Sequence, residues 1–200
     1  MTQKTLQVLV MAGGTGGHVF PALAVADELR ARGAQINWLG TARGIETRLV
    51  PAANIPLHFI SVEGVRGRGV VGLLKAPFLI IYAVLQSLQI MRRIKPDVVI
   101  GFGGFASGPG GLAAVLTRTP LVIHEQNAVA GTTNRLLARI ANKVLVAFPQ
   151  AFADRKDRLV VGNPVRAEVL AVSGQKQLQA PTQQLKVLVV GGSLGAQVFI

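Results

Sequence analysis

The sequence predicts an α/β fold, a Rossmann-like doubly wound parallel sheet, from three observations. Strand-length apolar runs alternate with helix-length runs along most of the chain, the pattern that builds right-handed crossovers on a parallel sheet. Two of those runs, Val8-Leu-Val-Met-Ala12 and Pro96-Asp-Val-Val-Ile100, empty into glycine-rich turns that open onto helical patterns. The second run is apolar on both faces, as strands covered by helices on both sides are.

Taken in order, Val8–Ala12 runs into Gly13-Gly-Thr-Gly-Gly-His18, and Ala22, Val25, Ala26 and Leu29 then recur at helix spacing, with Pro21 expected in the first turn. Gly33 ends that helix and Gln35–Leu39 reads as a second strand. Glu46–Val50 reads as a short helix stopped by Pro51, and Pro56–Ile60 as a third strand carrying a structural or solvent-facing His58. Gly64-Val-Arg-Gly-Arg-Gly69 is a basic loop, open to phosphate contact or to plain solvation. Gly72–Arg93 is apolar on most of its circumference, flanked by Arg66, Arg68 and Lys75 before and Arg92, Arg93 and Lys95 after. It is too short and too interrupted to span a bilayer, and suits a helix buried on one side with an outer face dipping into an anionic leaflet. The strand at 96–100 is followed by Gly101-Phe-Gly-Gly-Phe-Ala-Ser-Gly-Pro-Gly-Gly111 and a helix expected over Leu112–Leu116. Further strands are expected at Pro120–His124 and Lys143–Ala147, with a helix over about 131–141 between them. Residues 172–184 read as a linker, and Leu185–Val190 with Gly191-Gly-Ser-Leu-Gly195 repeats the opening formula. The division expected is therefore 1–166 as one Rossmann-like domain, 167–184 as linker, and 185–200 as the start of a second, truncated domain.

Composition narrows the partners. The 200 residues carry 21 Lys+Arg against 9 Asp+Glu, a net charge of +12, which favours anionic ligands or anionic lipid. Nucleic acid is disfavoured: the basic residues are dispersed, and the chain holds one Trp, one Tyr and no recognisable binding motif. With no cysteine and no charged-then-apolar leader pattern, a cytoplasmic setting is expected. The first glycine turn matches neither a P-loop, since no Lys follows, nor G-x-G-x-x-G. Taken alone it is an anion site at a helix start or simply a tight turn.

Several separated stretches together resemble the MurG family of peptidoglycan glycosyltransferases. They are Gly13–His18, Gly103-Gly104 with Ser107–Gly111, His124-Glu-Gln-Asn127, Gly162-Asn-Pro-Val-Arg166 and Gly191-Gly-Ser193. The resemblance implies the N-terminal domain of a two-domain GT-B enzyme that transfers N-acetylglucosamine from UDP-GlcNAc to undecaprenyl-pyrophosphoryl-MurNAc-pentapeptide (lipid I), making lipid II. The implied setting is peripheral, on the cytoplasmic face of the inner membrane. The partners would be anionic inner-membrane lipids and other cell-wall or division proteins. Carried over by motif, Thr15, Gly16, Gly17, Asn127, Arg166 and Ser193 are similar to donor-contacting positions. Gly13, Gly14, Gly103, Gly104, Ser107, Gly108, Gly110 and Gly111 would frame the acceptor pyrophosphate. The alternatives are another GT-B transferase, or a non-catalytic acceptor- and membrane-binding domain.

Glycosyl transfer needs a base for the acceptor hydroxyl and help for the departing diphosphate. His18, directly after the glycine turn, is the first candidate for base or acceptor positioning, against a role in capping the turn. Glu125 is the second candidate base, against a structural role. His124 is expected to support its loop. No D-x-D pair occurs, so no cofactor or metal is expected.

Overall fold

The computed structural model describes residues 4–62 and 69–173; side chains are described from residue 75 onward in the helix that begins at Gly69. The order is β1 (Gln7–Ala12), α1 (Gly16–Ala31), β2 (Gln35–Gly40), α2 (Glu46–Ala52), β3 (Leu57–Phe59), α3 (Gly69–Ile94), β4 (Val98–Gly103), α4 (Ser107–Leu116), β5 (Leu121–Glu125), α5 (Thr132–Leu137), β6 (Lys143–Val146), β7 (Leu159–Val160) and α6 (Ala167–Ser173). The strands form one sheet ordered β3-β2-β1-β4-β5-β6-β7, and every pair is parallel. The strand order reverses between β1 and β4. A crevice opens there beyond the strands' carboxyl ends, where ligands of doubly wound sheets bind. Both glycine turns leave from these two strands.

Each face of the sheet carries its own core. Val8, Val10 and Ala12 point with Trp38 and Phe102 into the layer under α1 and α2. Leu9, Met11 and Leu39 point with Ile123 into the layer under α3, α4 and α5. This alternation is the period of two expected of a strand buried on both faces.

Several boundaries differ from the sequence reading. α1 starts at Gly16, so Pro21 is its sixth residue and not in the first turn; it has no N–H to give the carbonyl of Gly17. α2 continues through Pro51 to Ala52; as the sixth residue of this helix Pro51 likewise has no N–H to give the carbonyl four residues back, at Thr47. α4 starts at Ser107, five residues earlier than expected. The run Ser107–Gly111 therefore belongs to a helix, and Gly110 and Gly111 serve packing. A β-carbon at Gly110 would collide with the Met11 sulfur, and one at Gly111 would sit 2.5 Å from Leu137 Cδ2. The fifth helix is shorter than expected, and Ala167–Ser173 is helical where the start of the linker was expected. The expected basic loop (all but Gly69) and the second strand–glycine repeat lie outside the described residues.

α3 packs in an unusual sense. Ala76, Ala83, Ser87 and Met91 form its buried stripe, while Phe78 (74% exposed), Leu79, Ile80, Ile81 (58% exposed), Tyr82 and Leu85 face outward. Small residues let the helix lie close to α4; the large apolar ones are left uncovered. No helix among the described residues is long and apolar enough to cross a membrane.

Candidate functional site

The site is built where the order of strands reverses. Gly104 has φ +86°, and a β-carbon there would run into the carbonyl of Gly13. The two glycine turns thus touch backbone to backbone, which only glycine at this position permits. Gly103, φ +103°, lies under the His18 ring, with its would-be β-carbon 3.0 Å from Cε1. Ser107 is fully buried, and its hydroxyl donates to the carbonyls of Met11 (3.1 Å) and Gly103 (2.8 Å). It ties β1 to β4 from behind. Gly13, Gly14, Gly103 and Gly104 therefore meet at the crevice. Ser107, Gly110 and Gly111 are turned into the interior instead, and Gly108 borders an apolar groove between α3, α4 and α5.

His18 is held in a defined orientation. Its Nδ1 lies 3.2 Å from the Gln126 side-chain oxygen, and the Gln126 amide nitrogen donates to the carbonyl of His124 at 3.2 Å. With the nitrogen so engaged, the Gln126 oxygen faces His18. Nδ1 must carry the hydrogen, and Nε2 of the neutral ring is left with its lone pair. Gln126 was missed in the sequence, where only its place between Glu125 and Asn127 could have marked it.

Glu125 behaves differently from a free base. It is fully buried and accepts four hydrogen bonds: from the Asn127 amide and side chain (3.0 Å each), the Gly131 amide (3.1 Å) and the Asn134 side chain (3.0 Å). Both oxygens are occupied in organising the loop from β5 to α5. Asn127 is exposed with its side-chain nitrogen on Glu125. It does not border the cavity described next.

On the other side of α1, Thr15, Gly16, Gly17, Phe20, Arg48, Asn163 and Arg166 line one cavity of about 750 Å³. Thr15 caps α1 by backbone geometry without using its hydroxyl on the helix. The first N–H groups of the helix have no partner four residues back, so the end is electropositive. The Arg166 guanidinium sits 4.5 Å from the centroid of the Phe20 ring, a stacking that holds the cation beside that end. Residues 15–17 and 166, far apart in sequence, are thus brought to one cavity. Phe20, Arg48 and Asn163 were not anticipated. Ser193 lies outside the described residues. Among the described residues no three His, Cys, Asp or Glu side chains gather as a metal-ligand set.

The ring of His124, expected to support its own loop, bonds to a different segment. It is nearly buried, its Nε2 donates to the Gly162 carbonyl at 3.0 Å, and Nδ1 has no partner. Burial pushes its pKa below 6.5, with the Gly162 bond and the Glu125 charge offsetting part of that. The unfolded ring accepts a proton more readily than the folded one. The contribution is therefore complete above the unfolded pKa and is lost as pH falls towards the folded value. His124→Gln should flatten the loss of stability between about pH 7 and pH 5 in urea-melt midpoints. His58, lowered by burial and by Arg93, preserves part of the slope. An unchanged slope would remove His124 from this role.

Residues 8–146 match the glycosyltransferase family 28 N-terminal domain. The chain belongs to glycosyltransferase family 28. Over 198 residues it is 66% identical to the UDP-N-acetylglucosamine–N-acetylmuramyl-(pentapeptide) pyrophosphoryl-undecaprenol N-acetylglucosamine transferase of Cellvibrio japonicus, covering 97% of this chain and 54% of that relative. It is 59% identical over 196 residues to the transferase of the same name from Aeromonas hydrophila, covering 98% and 54%. Among solved structures it is similar to Acinetobacter baumannii MurG, with a TM-score of 0.76, 47% identity, and coverage of 97% of this chain and 55% of that one. The Streptomyces glycosyltransferase SsfS6, at 17% identity, TM-score 0.55 and coverage of 76% and 53%, shares the fold. The family 28 chain thus spans about half the length of the curated relatives it matches.

Proposed function

We propose that this family 28 domain is the acceptor-side half of an enzyme that transfers N-acetylglucosamine from UDP-GlcNAc to lipid I, forming lipid II. The observation that carries the reading is the junction of the two glycine turns beside a His18 whose Nδ1 is anchored and whose Nε2 is left to accept a proton. In the step proposed, the acceptor hydroxyl attacks the anomeric carbon, and its proton passes to His18 Nε2. The bond from the anomeric carbon to the diphosphate oxygen breaks, and UDP leaves with the electron pair. Arg166 and the start of α1 take up the charge on the leaving diphosphate. Residues 1–166 form the acceptor domain, and residues 185–200 begin a donor domain. The names of the Cellvibrio and Aeromonas relatives support the choice of donor and acceptor.

The test is transfer of labelled GlcNAc from UDP-GlcNAc to a lipid I analogue, by this chain and by a version extended to the relatives' full length. Activity in the extended version alone is expected; activity in neither would leave the non-catalytic binding domain as the reading.

The same enzyme is proposed to work as a peripheral protein at the cytoplasmic face of the inner membrane. The uncovered face of α3 continues over Phe105, Leu112, Leu136 and Ile140, which border an apolar groove of about 430 Å³ starting beside the second glycine turn. Lys75, Arg92 and Arg93 lie exposed along α3, and Arg118 just beyond α4. Apolar area with a basic rim suits anionic lipid. Phe78→Glu combined with Ile81→Glu should weaken flotation with anionic vesicles at least about tenfold, since each large apolar side chain buried is worth over 1 kcal/mol. Raised salt should weaken wild-type binding. Undiminished flotation of the double variant would sink this surface as the contact.

A further inference from the structure

Glu46 is a fully buried carboxylate that the proposed chemistry leaves unused. It opens α2 and is fully buried, with no exposed surface at all. Its Oε2 accepts the amide of Gly14 at 3.0 Å, and its Oε1 accepts both the amide (3.0 Å) and the hydroxyl (2.9 Å) of Thr41. One carboxylate therefore joins the turn after β1 to the turn after β2.

Three glycines around it leave the room it occupies. A β-carbon at Gly13 would lie 2.5 Å from Glu46 Oε1, one at Gly40 2.9 Å from Cγ, and one at Gly44 would overlap the carboxylate. Gly13 thus makes room for Glu46 rather than for a ligand. Gly14, by contrast, has open space around its would-be β-carbon but φ +89°, a conformation that a hydrogen bond to its amide would help to hold.

A buried carboxylate is a costly way to fill space. It also places negative charge directly behind a turn read above as a receiver of diphosphate, where simple electrostatics would have it repel. Geometry offers the compensation. By taking the Gly14 amide, Glu46 fixes the Gly13–Gly14 peptide, one residue ahead of Thr15, Gly16 and Gly17, which line the cavity with Arg166.

We propose that Glu46 is a positioning residue that sets the anion-binding conformation of the first glycine turn for the diphosphate of a nucleotide sugar. The inference rests on the transferase reading. Positioning and repulsion predict opposite signs, which makes the test decisive. In Glu46→Gln the side-chain shape is kept, but the amide nitrogen must face one of the donors it replaces an acceptor for.

The measurement is KM for UDP-GlcNAc, kcat and melting temperature in the full-length enzyme, with UDP binding by calorimetry. Glu46→Gln should raise the donor KM and the UDP Kd at least about tenfold while kcat changes less than about threefold. A tightened Kd would show that Glu46 only repels. An unchanged Kd with a lowered melting temperature would show that it only supports the fold. Either result overturns the proposal. Thr41→Val keeps the carboxylate and both amide bonds and removes only the hydroxyl bond. It should raise the donor KM about two- to fivefold, and if Glu46→Gln does not fold, an unaltered KM in Thr41→Val overturns the proposal. A wild-type enzyme that transfers nothing but binds UDP, with that binding weakened in Glu46→Gln, supports the inference and rejects the transferase reading; one that neither transfers nor binds UDP rejects both.

Discussion

Arg166→Ala in the full-length protein is expected to lower kcat/KM for UDP-GlcNAc roughly 10- to 100-fold, the span of losing a hydrogen-bonded charge from an anion site. Three features put the effect in binding and transfer rather than in folding. The residue is exposed, its guanidinium is stacked on Phe20, and it faces the cavity lined by residues 15–17. Arg166→Lys keeps the charge but loses the flat fork that can meet a diphosphate at two points and stack on a ring. It should recover only part of the loss. Steady-state kinetics at several salt concentrations checks this. A donor KM and kcat unmoved by Arg166→Ala would take the residue out of the site.

Glu125→Ala is expected to destabilise the domain by about 3–5 kcal/mol, because it strips a buried acceptor from four donors at once. That is a large share of the roughly 5–15 kcal/mol that holds a domain folded. The Asn127 side chain can turn to water, but Asn134 is buried and Gly131 is held in the loop. Glu125→Gln should recover only part of this, since either orientation of the amide sets its nitrogen against two donors. Urea unfolding followed with single-turnover transfer separates the roles. A catalytic base would lose rate in Glu125→Gln with its unfolding midpoint intact. Loop organisation predicts a lowered midpoint, with the rate largely kept by the fraction that stays folded.

The two buried carboxylates show where reading the chain as a string reached its limit. Glu125 was visible as an acid at a strand end, and Glu46 as an acid at a helix start; nothing local distinguishes an acid that faces a cleft from one that faces inward. Their partners come from other segments: Gly14 lies 32 residues from Glu46, and Asn134 nine from Glu125. The glycines divide for the same reason. Gly104 and Gly110 look alike in sequence, yet the first lets two turns touch and the second lets a helix press on Met11.

Much was determined by the sequence alone. Strand-length apolar runs alternating with helices dictate a parallel sheet, because each run must be covered on both faces and each crossover takes one hand. The same pattern puts both glycine turns, His18 and Gln126-Asn127 beyond the strands' carboxyl ends, while His124 and Glu125 turn out to close β5. The tertiary structure alone decided which of these residues share a surface. Side-chain partners, the direction of a helix face and the tautomer of His18 depend on atoms contributed by segments distant in the chain, and a local pattern carries no record of who those neighbours are. Gln126 against His18, Arg166 against Phe20 and Glu46 against Gly14 exist only once β1, β2, β4 and β5 lie side by side.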